Sequence, residues 1–146
     1  MDYDVLIVGA GPGGIYAAYE LLTKAKKKLK IGVFEMGAPL DARKCPIDGD
    51  RIKSCVQCKS CSIMSGFGGA GAFSDGKLTL TPEVGGHLVD YMPYGEVENL
   101  IDYCDNIYLE HGATTTVFGS NRADFADIER AATLAELRLV HSPVRH

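Results

Sequence analysis

Asp4-Val-Leu-Ile-Val-Gly9-Ala-Gly11-Pro-Gly13-Gly14 decides how this chain is read. Residues 5–8 are an unbroken apolar run rich in β-branched side chains, the pattern of a strand buried on both faces. Glycines at 9, 11 and 14 follow in the spacing G-x-G-x-x-G, and residues 15–22 continue as a good helix. A second strand pattern, Lys30-Ile-Gly-Val-Phe-Glu35, ends on a carboxylate 21 residues beyond Gly14. That is near the ~20 expected where a carboxylate binds a ribose diol. Strand, glycine turn, helix, strand and terminal acid together predict a βαβ unit that binds a dinucleotide. The plainer reading, a glycine-rich turn in an ordinary sheet protein, accounts for only one of these features.

The glycines carry the chemistry. Gly9 makes the tight turn out of the strand. Gly11 lets a pyrophosphate approach the backbone, which a Cβ would block, and Gly14 lets the helix pack close to the sheet. At the helix start, Pro12 costs nothing through its missing N–H. The free N–H groups there, with Gly13 among the first-turn residues, face the phosphates. Glu35, with Met36 beside it, closes the adenosine side. Glu35 also argues against NADP, because it repels a 2′-phosphate.

The 146 residues are 46% hydrophobic and 23% charged, enough for one substantial core and suited to a single domain. A net charge of −4 and a pI near 5.5 give nucleic acid no bulk attraction. No apolar run reaches the ~18 residues of a membrane span. The start of the chain lacks the basic and apolar regions of a signal peptide. The default expectation is a cytoplasmic protein. The last stretch, Arg138-Leu-Val-His-Ser-Pro-Val-Arg-His146, reads as extended and uncapped, and suggests a piece of a longer polypeptide or a truncated product.

Along the chain, strands are expected at residues 3–8 and 30–35, with a helix at about 13–27. The run Lys24-Ala-Lys26-Lys27-Lys28 reads better as solvated cations complementing a helix C-terminus than as a phosphate patch. Residues 36–65 form a long loop with four of the five cysteines, and loops of that length are usually functional or disordered. Glycines crowd residues 66–72, too densely for a strand or helix interior. A short strand is expected at 78–81 and another at 115–118. Val97, Leu100, Ile101, Cys104, Ile107 and Tyr108 recur at helical spacing, with Gly112 where a C′ glycine belongs. A further helix is expected at 124–137, with Asp124 as its N-cap.

At the second glycine cluster a family resemblance enters. Gly68-Gly69-Ala70-Gly71-Ala-Phe-Ser74-Asp75-Gly76-Lys77-Leu78, after Gly9-Ala-Gly11-Pro-Gly13-Gly14, resembles a group of largely uncharacterised FAD-dependent dehydrogenases. These are similar in plan to the glutathione-reductase-like two-dinucleotide flavoproteins. The resemblance runs from residue 3 to about residue 88 and continues more weakly to the end. It implies FAD as cofactor, an inserted substrate domain, and a later Gly-Asp segment near the ribityl chain. The 146 residues correspond to the N-terminal FAD-binding part alone. Gly68, Gly69, Ala70, Gly71 and Ser74 are then expected to line the flavin side, with bare N–H groups and no side chain in the way. A mobile loop is the alternative. Arg43 is expected either along the adenosine or a phosphate, or on the surface in solvent.

Cys55-x-x-Cys58-x-x-Cys61 lets consecutive thiolates converge on one centre, with Cys45 as a fourth ligand from upstream. An iron–sulfur cluster, zinc, a redox-active dithiol and plain reduced thiols all stay open. The bacterial iron–sulfur spacing breaks at Ser65. Cys104 lies on a helical apolar stripe and reads as a small buried hydrophobe.

The expected fold is α/β: a Rossmann-like FAD/NAD(P)-binding βαβ unit with a parallel sheet, a fragment of a larger domain. The expected function is the FAD-binding portion of a flavin-dependent oxidoreductase, with NAD as a candidate electron donor, an unnamed small-molecule substrate and a homo-oligomeric tendency. A non-catalytic nucleotide- or metal-binding module and an NAD-dependent dehydrogenase domain are the alternatives. His87 is the most tempting proton donor, but a lone histidine more often serves structure. No catalytic or metal-ligating residue is assigned.

Overall fold

The computed structural model describes residues 2–146, apart from the side chains of Arg122 and Asp124. The N-cap expected of Asp124 therefore lies outside the described residues. Length and composition suit one domain, but the contacts gather into two compact units, the residues up to Gly76 and Lys77–His146.

In the first unit, β1 (Val5–Val8), α1 (Pro12–Lys24) and β2 (Ile31–Phe34) stand where the apolar pattern puts them. The strands are parallel, with Val5 opposite Ile31 and Val8 opposite Phe34. A helix is needed to cross between them, because parallel strands cannot be joined by a tight turn. α1 ends at Lys24, which pairs with Glu20 at 2.8 Å, so Lys26, Lys27 and Lys28 fall beyond it.

The expectation that residues 5–8 are buried on both faces is corrected. Leu6 is 59% exposed and Val8 89% exposed. Two strands and one helix cover a single face, and Leu6 and Val8 point to the other. After Phe34 the chain runs through a short 3-10 turn at Leu40–Ala42 and a long irregular segment to a second 3-10 turn at Ala70–Phe73.

The second unit holds β3 (Leu78–Thr79), α2 (Tyr94–Glu110), β4 (Val117–Phe118), α3 (Ala126–Leu134) and β5 (Val144–Arg145). Its strands form an antiparallel sheet in the order β3-β5-β4, with Leu78 and Val117 both opposite Arg145. The stretch read only as an extended ending is thus the middle strand. α2 is closed as expected by Gly112, at φ +95°. Its stripe buries Val97 and, beside Cys104, the carboxylate of Asp105. Arg145 meets that carboxylate with Nε to Oδ1 at 2.5 Å and Nη2 to Oδ2 at 2.6 Å, and gives Nη1 to the Thr114 carbonyl at 2.8 Å.

The architecture is therefore mixed α/β, with a two-stranded parallel sheet and a three-stranded antiparallel one. Ala10 and Val97 are the fully buried apolar residues among those described. The accessible surface is 11054 Å². Two separate compact bodies of half this mass expose about 9,000 Å² together. Val8, Leu22, Met36 and Leu134 are each more than two-thirds exposed. Among the described residues, no helix is long and apolar enough to cross a membrane.

Candidate functional site

The first unit gathers the sequence-predicted residues at the C-terminal ends of β1 and β2. Gly9 turns out of β1 at φ +99°, a conformation that side chains resist, and its N–H donates to the Phe34 carbonyl at 2.7 Å. Gly14 sits on that turn. A Cβ there would stand inside the contact distance of the Gly9 carbonyl, so this position in the first turn of the helix takes only glycine. Gly11 and Gly13 are different. A Cβ on Gly11 would meet nothing nearer than the α-carbon of Gly69, at 3.8 Å, and one on Gly13 would meet nothing within 4 Å. Gly11 has an ordinary φ of −77°. Neither glycine is demanded by the packing of the fold.

α1 begins at Pro12 with no side-chain cap and no acid in its first turn. Among the described residues, its opening N–H groups and partial positive charge thus have neither a capping side chain nor a first-turn acid.

Glu35, just past β2, is half-buried. Its Oε2 accepts the Ala10 N–H at 2.7 Å and its Oε1 accepts the Gly37 N–H at 2.9 Å. These bonds, Ala10 first and Gly37 second, hold its carboxyl below the ordinary value of 4.5 against a smaller opposing effect of burial. Glu35 thus ties the first glycine turn to the end of β2, a role that sequence spacing does not reveal. The N–H groups of Gly66 and Met36 act on its carboxyl in the same direction, more weakly. Met36 beside it is 77% exposed.

The second glycine segment lies against the first. Gly68 N–H donates to the Ala10 carbonyl at 2.8 Å. A Cβ on Gly69, which has φ +62°, would meet the Gly11 α-carbon at 3.0 Å and Pro12 Cδ at 3.3 Å. Gly71 comes near Pro12 as well, with a Cβ position 3.9 Å from Pro12 Cγ. Ala70 and Gly71 open the 3-10 turn, and Ser74 ends it with its hydroxyl donating to the Gly71 carbonyl at 2.9 Å. Two segments far apart in sequence therefore form one glycine-lined wall beside the start of α1, with the Pro12 ring against Gly69 and Gly71.

Arg43 departs from the solvent-exposed reading. It is 3% exposed, not a solvated surface residue. Its Nε donates to the Ser62 carbonyl at 2.8 Å, Nη1 to the Phe67 and Gly69 carbonyls at 2.8 Å each, and Nη2 to the Ile63 carbonyl at 2.6 Å. The Phe73 ring lies 4.7 Å from the guanidinium carbon. With these donors engaged, the side chain braces the second glycine segment instead of reaching outward. No sequence signal marks this, because the acceptors are main-chain carbonyls.

The cysteines are not drawn together into a metal centre. Cys45, Cys55 and Cys58 are exposed and Cys61 is half-buried, all as free thiols. Cys55 Sγ accepts the Gln57 N–H at 3.4 Å. Among the described residues no group of three or more His, Cys, Asp or Glu is placed to hold a metal ion. The arrangement gives the iron–sulfur and zinc readings no support.

In the second unit, His87 is exposed, with Nδ1 3.8 Å from Asp90 Oδ2. A separate cleft of about 380 Å³ is lined by Leu80, Thr81, Glu83, Tyr94, Arg138 and His141, among others. An Arg138–Glu83 pair at 3.2 Å spans two of its lining segments. His141 Nε2 is buried and lacks a hydrogen-bond partner among the described residues. None of the residues expected from sequence to bind a cofactor lines this cleft.

No family model matches the chain, and no solved structure matches it. The chain is similar to an uncharacterised protein of Clostridium beijerinckii (strain ATCC 51743 / NCIMB 8052), 42% identical over 74 residues. The matched segment is 51% of this chain and 13% of that relative, so the chain spans only a small part of the relative's length.

Proposed function

We propose that the first unit is the FAD-binding portion of a flavin-dependent oxidoreductase, built as a Rossmann-like βαβ unit. In this reading the adenosine half lies along β1, α1 and β2, and the pyrophosphate meets the start of α1. Glu35, only half-buried at the end of β2, takes the ribose. Gly68, Gly69, Ala70, Gly71 and Ser74 line the flavin side. The flavin supplies the redox chemistry when bound, and the chain's own residues bind and orient it.

One observation carries the reading. Gly11 is bare although the fold does not require it: its φ is ordinary and a Cβ would meet only normal contact. Space kept free at a helix start, next to N–H groups without a cap, fits an anionic group approaching the backbone. The close approach of the second glycine segment supports it, because one extended ligand can then touch both.

Calorimetric titration of the purified chain with ADP and with FAD tests this. Both should bind, and Gly11→Val should abolish both while the circular dichroism spectrum stays native. Absence of binding by the wild-type chain, or undiminished affinity in folded Gly11→Val, overturns the reading.

A further inference from the structure

Arg43 is a buried cation whose hydrogen bonds among the described residues go to carbonyls, not to a carboxylate. Burying a charge is costly unless its donors are satisfied. Here they are satisfied by one short stretch of chain: the carbonyls of Ser62, Ile63, Phe67 and Gly69. Phe73, from the 3-10 turn that follows, lies against the guanidinium. Within residues 62–69, Gly66, Gly68 and Gly69 offer no side chain by which they can be held, and the planar five-donor fork of arginine holds the stretch by its backbone. The same stretch gives Gly68 N–H to the Ala10 carbonyl and sets Gly69 against Gly11 and Pro12. A continuous chain of contacts thus leads from Arg43 through the second glycine segment to the first.

We propose that Arg43 is the positioning residue of the dinucleotide site: it holds the second glycine segment against Gly11 and Pro12 so that both line one ligand, and it does not touch that ligand. The proposal rests on the reading of the first unit as a dinucleotide site. It replaces the direct contact that the sequence suggested for Arg43 with an indirect one. Arg43 also closes the base of the excursion formed by residues 44–61, because Ser62 follows directly on Cys61. The reactivity of the half-buried Cys61 thiol therefore reports on the brace without any ligand.

The test compares wild type with Arg43→Met, Arg43→Lys and the milder Phe73→Leu. Adenosine, ADP and FAD are the probes, with hydrogen exchange at the Gly68 amide and maleimide labelling of Cys61 followed in parallel. Arg43→Met should weaken ADP and FAD by about tenfold or more, the scale on which supporting residues act. Adenosine, which meets Glu35 but not the glycine wall, should change much less. Gly68 exchange and Cys61 labelling should both quicken. Arg43→Lys should recover part of the loss, and Phe73→Leu should show a smaller loss of the same pattern, so a failure of Arg43→Met to fold leaves the question decidable. Equal weakening of adenosine and ADP in the folded variants overturns the positioning role. So does unchanged ADP affinity alongside faster Gly68 exchange. If the wild type binds neither ADP nor FAD, the dinucleotide reading itself has failed, and the proposal falls with it.

Discussion

Among the described residues each unit holds one buried arginine, and the two are satisfied in different ways. Arg145 meets a carboxylate in a two-point pair with Asp105, and this links α2 to the middle strand of a sheet. Arg43 meets main-chain carbonyls within one loop. The acceptor type follows from what each region has to offer. Between a helix and a strand, side chains are available, and an acid can be placed on the helix. In the loop of residues 62–69, which carries no acid and includes Gly66, Gly68 and Gly69, the backbone is what Arg43 grips. With Ala10 and Val97 as the buried apolar residues, neither unit relies on a large hydrophobic core. Polar braces therefore matter more here than in a well-filled domain.

The sharpest way to break this comparison is in the second unit. Asp105→Ala leaves the Arg145 guanidinium buried without its counter-charge. Removing one partner of a buried pair is far worse than replacing both. Arg145 is held more firmly protonated than usual, first by its hydrogen bonds with Asp105, so it will not escape by losing its proton. Asp105→Ala should abolish cooperative unfolding of residues 77–146, seen as lost amide protection in both β5 and α2. The double replacement of Asp105 by Leu and Arg145 by Met should regain most of it. Full protection in Asp105→Ala would mean that the pair is an ornament on a sheet that stands by itself.

The comparison also explains what the sequence made legible. β1, α1 and β2 were readable because apolar period, glycine spacing and terminal acid are local signals. The same holds for α2, whose stripe and Gly112 stop both appear in the structure. The meeting of the two glycine segments was reachable only through resemblance. The burial of Arg43 is not legible, because the backbone carbonyls that hold it, at residues 62–69, leave no imprint on residue type. The exposed face of β1 was misread because an apolar run cannot state how many layers cover it. The middle strand at Val144–Arg145 was missed, although one clue stood in the sequence. Asp105 lies four residues after Ile101, on the apolar stripe of α2, and a carboxylate there requires a buried partner.

Acid separates the two regions next. Glu35 has its folded carboxyl value lowered by the N–H groups of Ala10 first and Gly37 second. A lowered value means that the charged form stabilises the first unit above about pH 4.5, the ordinary value, and that this contribution is lost as pH falls through the lower folded value. Asp48 acts in the same direction in the same unit, held down chiefly by the Ile52 N–H. The first unit should therefore open on acidification below pH 4.5, and Glu35→Gln should flatten that dependence. Ala10 amide exchange measured down a pH series checks it. A Glu35→Gln variant with the wild-type slope would show that the clamp between the first glycine turn and β2 contributes nothing.

The smallest effect comes from neighbouring glycines with opposite constraints. A Cβ on Gly14 collides with the Gly9 carbonyl, so glycine there is structural. A Cβ on Gly13 meets nothing within 4 Å, and the residue lies in α1 with no positive φ. Replacing a glycine by alanine at a compatible position stabilises by about 0.4–1 kcal/mol, largely by restricting the unfolded chain. Gly13→Ala should raise the stability of the first unit by that amount. It should also leave ADP affinity unchanged, because the N–H offered to a phosphate survives and the added methyl points into open space. Urea unfolding and ADP titration on the same variant decide both parts. A destabilised Gly13→Ala would mean that the start of α1 is more crowded than its contacts imply. A stabilised variant that no longer binds ADP would put the ligand directly over Gly13, closer to the helix axis than a wall shared by Gly11 and Gly69 allows.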